Sequence, residues 1–290
     1  MKIAIVGGSG KMGQWCAEFL VRNGMDVLLL GRNIEKLEAV KRHMSVEISS
    51  HPMAVSSADV VLISVPMDDF EDTIKHYQPY ITSQQTIIEI TSVKVKPIEV
   101  MHRYLQNENV LGAHPMFGPG ARDIANHNFI LTPTTPQENR IASKVRAFLE
   151  ARGARVSLMT PREHDETMAA VLGLPHIVAL ISADTLLSLG GFERFEKIGG
   201  TTCKLMLMLA DSVLSEDPQL YASLQMNLPG MSEIHKLVLS KSRAWADMVV
   251  EKDREGFIEK MDSLKKKREE ADPDFRKAYE SMYRLEDRQV

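Results

Sequence analysis

Apolar positions along this chain follow two rhythms. In the first half, short apolar runs alternate with stretches of helical spacing: Lys2 to Val6, a helix through Gly13 to Asn23, Asp26 to Leu30, a helix from Ile34, then runs at Val60 to Val65, Thr86 to Ile90, Val110 to Ala113 and Phe129 to Thr132. Short runs rich in Val, Ile and Leu suit strands buried on both faces, and their alternation with helices predicts a parallel, doubly wound sheet with helices on either side. After Thr160-Pro161 the strand-like runs stop, and apolar residues recur at helical spacing over Met168 to Leu189 and Lys204 to Leu214. The pattern therefore predicts an α/β domain over residues 1–160 and an all-α domain over residues 161–290. Leu205-Met206-Leu207-Met208-Leu209 is apolar nearly all round, which suits either a helix packed against a partner subunit or plain intrachain core.

Composition narrows the function classes. At 290 residues and 44% hydrophobic, the chain can bury a sizeable core. Its net charge of -4 is spread rather than blocked, so the basic footprint of nucleic-acid binding is missing. No apolar run is read as approaching the roughly 20 residues of a membrane helix, and the first residues enter a strand directly without a cleavable signal. The expectation is a cytoplasmic protein with neither nucleic acid nor membrane as partner. Cys16 and Cys203 are too few for a disulfide framework and lack metal-site spacing, so both read as core residues and no metal is expected. The charged stretch from Glu259 to Phe275 reads as a solvated helix that breaks before Pro273.

The first chemical signal is "IAIVGGSGKMGQ", which sets Gly8, Gly10 and Gly13 in a G-x-G-x-x-G pattern between a strand and a helix. In a Rossmann-type domain, Gly8 would allow the tight turn, Gly10 would admit a pyrophosphate, and Gly13 would let the helix pack on the strand. The anion would lie at the helix N-terminus, with Ser9, Lys11 and Met12 contributing to the same turn. An NAD site places a carboxylate at the end of the second strand, whereas "DVLLL" here runs into Gly31-Arg32-Asn33. Arg32 can pair with a 2'-phosphate, which favours NADP over NAD; alternatively it only begins the next helix and either cofactor binds. Val65-Pro66 would bring backbone to the sheet edge near the nicotinamide.

Three further stretches fall where chemistry would sit: "IIEITSVKVKP" with Ser92 and Lys94, "GAHPMFGPG" with His114, and "HDETMAAVLGLPHIVA" with His164 and His176. Glycines and prolines box in His114, and an imidazole at a strand's carboxyl edge suits taking a hydroxyl proton as hydride leaves. Together with "EDPQLYASLQMN" at residues 216–227, these stretches make the chain resemble the prephenate/arogenate dehydrogenase family over nearly its whole length. The resemblance implies oxidative decarboxylation of prephenate or arogenate on the route to tyrosine, with hydride passing to NAD(P). It implies that His114 accepts the substrate hydroxyl's proton, that Ser92 bonds the same hydroxyl, and that His176 lies on the substrate side. Ser92 can equally be a cap, and His176 a satisfied histidine within an apolar helix. His164-Asp165 reads as the start of a helix that helps to join the domains. The resemblance also implies a homodimer built by the helical domain, and any tyrosine inhibition would act at the active site.

One position departs from the family pattern. Where relatives carry an arginine for a substrate carboxylate, this chain has Ser212 preceded by Asp211. Lys204, Arg122, Lys94 and Arg243 are the alternative cations. Asp211 could instead meet the amino group of arogenate. The rival readings are an NADP-dependent dehydrogenase of another hydroxy acid, and a non-catalytic NADP-binding sensor.

Overall fold

The structure is a computed structural model that describes residues 1–287, with side chains throughout except at Phe192 and residues 285–287. It divides into two compact units, Met1–Met168 and Ala169–Val290.

The first unit is built on an eight-stranded sheet in the order β3-β2-β1-β4-β5-β6-β7-β8. The strands are β1 (Lys2–Val6), β2 (Asp26–Leu30), β3 (Glu47–Ser49), β4 (Val60–Ile63), β5 (Thr86–Glu89), β6 (Val110–Pro115), β7 (Asn128–Leu131) and β8 (Arg155–Leu158). Helices α1 (Lys11–Arg22), α2 (Ile34–Lys41), α3 (Phe70–Tyr77), α4 (Val95–Tyr104) and α5 (Pro136–Glu150) connect them, and α6 (Pro161–Met168) follows β8. Neighbouring strands pair in parallel except β6 and β7, which are antiparallel and place His114 opposite Ile130. The sheet expected to be parallel therefore carries one reversal.

Alternation along the strands divides the core into two layers. Ala4, Val6, Leu28, Leu30, Val61 and Ile63 face Phe70 and Ile74 of α3 and Ile98 and Met101 of α4. Ile3, Ile5, Val27, Leu29 and Leu62 face Cys16 and Ala17 of α1 and Leu37 and Val40 of α2. The buried Cys16 thiol has its pKa pushed up to about 12 because burial disfavours the thiolate.

A charged pair lies inside this apolar framework. Lys94 and Glu89 are both fully buried and joined by a direct ion pair. The Lys94 ammonium also donates to the Ala113 carbonyl at 2.8 Å. Glu89 Oε2 accepts the Thr91 backbone N–H at 2.8 Å. The pair thus ties the end of β5, the approach to α4 and the end of β6 together. Burial raises the Glu89 pKa, opposed by the Lys94 charge. It lowers that of Lys94, opposed by the Glu89 charge, so each ion sustains the other. As a substrate-carboxylate ligand Lys94 is corrected: its ammonium is enclosed and committed to Glu89 and Ala113.

The second unit is helical: α7 (Leu174–Leu189), α8 (Phe192–Ile198), α9 (Thr201–Leu214), α10 (Pro218–Asn227), α11 (Met231–Val250), α12 (Arg254–Ala271) and α13 (Ala278–Asp287). A π-helical turn, Ala169–Gly173, leads into α7. Met231 packs where a Cβ on Gly173 would stand, so that position tolerates only glycine without a shift. The continuous helical run Pro161–Leu189 spans 29 residues and is long and apolar enough to cross a membrane by length and composition. That corrects the expectation that no run approaches such a length. The unit also exposes many large apolar side chains, among them Ile181, Leu187, Leu189, Met226, Leu239 and Val250.

Breaking the buried pair by Lys94→Met should lower unfolding free energy by about 3–5 kcal/mol, because the Glu89 carboxyl is left uncompensated. Urea denaturation measures this, and adding Glu89→Gln should restore part of the loss.

Candidate active site

Parallel pairing brings the carboxyl ends of β1, β2, β4, β5 and β6 to one edge of the sheet, with the order turning at β1 and β4. Ligands of open α/β sheets bind outside that edge, at the turning point. The glycine turn, Arg32, Val65-Pro66, Ser92 and His114 all follow or end these strands.

The glycine turn is shaped by close approach. Gly7 takes φ +83°, and a Cβ there would strike the Ser64 carbonyl. Gly7 and Gly8 both donate to the Leu30 carbonyl, at 3.0 and 3.2 Å. The tight turn assigned to Gly8 therefore belongs to Gly7, whereas Gly8 is small because Leu29 packs against it. Gly13 lies against the Gly7 carbonyl and Gly8, which is the helix-on-strand packing expected of it. Gly10 caps α1 in extended conformation without a side-chain bond, and a Cβ there would meet only the Gly7 carbonyl at 3.3 Å. The first turn of α1, Lys11, Met12 and Gly13, thus opens beyond a bare backbone cradle suited to an anion.

Arg32 stands beyond β2 with its side chain 92% exposed and a 3.4 Å contact to Asp69. Asn33 caps α2, its side chain accepting from the Lys36 N–H at 2.9 Å. Val65 packs on the core and Pro66 leads into a short 3-10 turn, Met67–Asp69.

His114 is the penultimate residue of β6 and is buried. The loop after it is fastened to α1, since the Trp15 indole donates to the Ala121 carbonyl at 2.6 Å. Phe117 meets the Trp15 ring edge-on at 4.8 Å and packs on Phe129. Trp15 carries no chemical signature in the sequence, although its place on the helix after the glycine turn is visible there. On the other side, His114 Nδ1 lies 2.9 Å from His164 Nε2. His164 Nδ1 lies 2.7 Å from Asp165 Oδ1. Asp165 also accepts the backbone N–H groups of Lys94 at 2.7 Å and Val95 at 3.0 Å. His164 and Asp165 do more than start a helix: they form a buried hydrogen-bonded chain to His114.

Local sequence sets up that chain. Thr160 and Glu163 form a capping box, in which Glu163 accepts from the Thr160 N–H at 2.9 Å and Thr160 Oγ1 from the Glu163 N–H at 3.2 Å. The box fixes the first turn of α6 and so the direction of the next two residues. Burial holds the His114 pKa well below the ordinary histidine value, and the charges of Lys94 and His164 add to the effect. Burial likewise lowers His164, opposed by its bond to Asp165.

Ser92 lies in the β5–α4 loop, half-buried, and does not cap α4. Arg122 is exposed, and its carbonyl accepts from Arg22 at 3.5 Å. In the helical unit, the His176 ring meets Tyr221 edge-on at 4.8 Å and its buried Nδ1 has no partner among the described residues. Burial lowers its pKa too. Lys204 and Arg243 are exposed on α9 and α11. Ser212 bonds back to the Leu209 carbonyl at 2.8 Å.

Two family models match consecutive parts of the chain. Residues 16–158 match the family described as "Prephenate dehydrogenase, nucleotide-binding domain". Residues 160–263 match "Prephenate dehydrogenase, dimerization domain". A "Probable arogenate/prephenate dehydrogenase" of Methanocaldococcus jannaschii is 32% identical over 265 residues, covering 90% of this chain and 59% of that protein. The "T-protein" of Haemophilus influenzae is 25% identical over 89% of this chain and 64% of its own length. The chain thus spans about three-fifths of these curated relatives. Among solved structures, prephenate dehydrogenase from A. aeolicus in complex with hydroxyphenyl propionate and NAD+ superposes with a TM-score of 0.75 at 25% identity, covering 94% of this chain and 98% of that one. Synechocystis arogenate dehydrogenase shares the fold, with a TM-score of 0.70 at 19% identity over 93% of this chain and 100% of that one. With both domain families matched in order over the sheet unit and the helical unit, this chain belongs to the prephenate dehydrogenase family.

Proposed function

We propose that the protein oxidises prephenate or arogenate, with His114 as acceptor of the hydroxyl proton. The observation that carries this reading is a buried imidazole at the carboxyl edge of β6, held on its Nδ1 side by His164 and without a protein partner on Nε2 among the described residues. The backbone cradle at Gly7 to Gly13 fits a dinucleotide pyrophosphate, and the nicotinamide supplies a hydride acceptor. His114 takes the proton from the ring hydroxyl as the carbon beneath it loses hydride. Loss of the ring carboxylate as carbon dioxide then makes the ring aromatic, and the proton returns from His114 to the phenolic oxygen. The protein's task is to orient the acid and hold one proton in reach.

Ser92 is proposed as a second partner of the hydroxyl, and His176 as a substrate-side group, on the family pattern. With Lys94 enclosed, Arg122 and Lys204 are the proposed carboxylate partners. Ser212 is proposed to line the substrate side without supplying charge. NADP is the favoured cofactor because Arg32 is exposed, held by a single long contact, and no carboxylate ends β2. A homodimer through the helical unit accounts for the apolar side chains exposed there and accords with the matched dimerization family.

Turnover with prephenate and arogenate tests the activity, and His114→Asn should reduce kcat about 10²–10⁴-fold. Since only the neutral imidazole accepts a proton and burial depresses its pKa, the rate should stay level from pH 8 to below 6.5 and fall only at lower pH. An acid limb centred above pH 6.5 would count against His114. Arg32→Ala should raise KM for NADP about tenfold or more while leaving that for NAD nearly unchanged; a wild-type preference for NAD would refute the assignment. Sedimentation should give twice the chain mass of 32.5 kDa, and a monomer at micromolar concentration would refute the dimer.

A further inference from the structure

We infer that His164 and Asp165 are positioning residues that dictate which nitrogen of His114 carries its proton. The inference rests on the reading of His114 as proton acceptor and concerns how that acceptor is made ready.

Counting donors and acceptors along the chain leaves one arrangement. The Asp165 carboxylate receives two backbone N–H groups, those of Lys94 and Val95, which cannot reverse their direction. Its third contact, at 2.7 Å, is to His164 Nδ1, which donates to the anion. Burial keeps His164 neutral, so its Nε2 then bears a lone pair. Among the described residues the partner of that lone pair is His114 Nδ1 at 2.9 Å, which must donate. A neutral His114 with its proton on Nδ1 has a bare Nε2, the state a proton acceptor requires. The ring planes are tilted by 58° with centroids 5.1 Å apart, so the rings meet through their nitrogens rather than by stacking.

The surrounding charges hold the chain in this state. Glu89 and Lys94 neutralise one another at the end of β5, and Asp165 is the anion at the far end. A proton arriving on His114 meets the Lys94 ammonium nearby, which favours its prompt return. Direction is thus set by two main-chain donors at the start of α4 and relayed through one imidazole to the next.

The test reads the tautomer directly. In the full chain labelled with 15N-histidine, multiple-bond 1H–15N spectra should show His114 protonated at Nδ1 and bare at Nε2, with the resonance assigned by its loss in His114→Asn. His164→Leu removes the acceptor, so His114 should move toward the Nε2–H form while kcat falls about 10-fold or more and KM for prephenate or arogenate changes little. His164→Gln offers a carbonyl oxygen to Nδ1 and should regain the tautomer and part of kcat. A wild-type His114 carrying its proton on Nε2 overturns the inference, as does a His164→Leu protein with unchanged tautomer and kcat. Should His164→Leu fail to fold, the wild-type and His164→Gln spectra still decide. If the wild type turns over neither acid, the activity reading fails, whereas the spectra judge the positioning claim separately.

Discussion

The Asp165 carboxylate is the contact on which the arrangement around His114 depends. It lies beyond the last strand, yet it receives the N–H groups of Lys94 and Val95 from the start of α4, about 70 residues earlier in the chain. An anion at a helix N-terminus is favoured both by the unpaired donors and by the helix dipole. The same carboxylate engages His164, so one group docks α6 on α4 and aligns the imidazole at the end of β6. Removing it would loosen a helix contact and the setting of His114 together, and the capping box at Thr160 and Glu163 fixes the turn of α6 that presents it.

A second constraint is electrical. The region behind His114 holds the buried Lys94 ammonium, the buried Glu89 and Asp165 carboxylates and the His164 imidazole, and it is tolerable because Lys94 and Glu89 pair directly while Asp165 receives two backbone N–H groups and His164. Lys94 donates to Glu89 and to the Ala113 carbonyl, one residue before His114. The lysine thereby fixes the strand that carries the imidazole, and its positive charge adds to the burial that holds the imidazole's pKa low. On the opposite side, Trp15 and Phe117 tie the loop after His114 to the helix of the glycine turn. The glycine turn and His114 are in this way tied together along one edge of the sheet.

Much of this was legible in the residues, for identifiable reasons. Strands buried on both faces write continuous apolar runs, so β1, β2, β4, β5, β6 and β7 were found to within two residues or so. The strands β3 and β8 were missed because "EIS" and "RVSL" lie at the sheet's margins, half-exposed and without such runs. The reversal between β6 and β7 is a property of pairing, which no single run reveals. Gly13 was readable because close backbone packing demands glycine whatever lies around it, whereas the turn role slipped by one residue, from Gly8 to Gly7. His164 and Asp165 read as a helix start because their partners are 50 and about 70 residues away. Lys94 looked like a free cation although its partner Glu89 lies only five residues earlier, across the turn that follows β5. A glutamate closing the apolar run "TIIE" was the available hint that a buried cation must answer it.

Cys16 sits on α1 just below the glycine turn, buried among Ile5, Ala17 and Leu29. A thiol pushed up to about 12 is scarcely ionised at neutral pH, and only the thiolate attacks electrophiles. Alkylating reagents can reach it only when α1 lifts from the sheet. The rate at which iodoacetamide modifies this position is therefore a clock for local opening of the nucleotide helix, and whatever ligand clamps that helix must slow it.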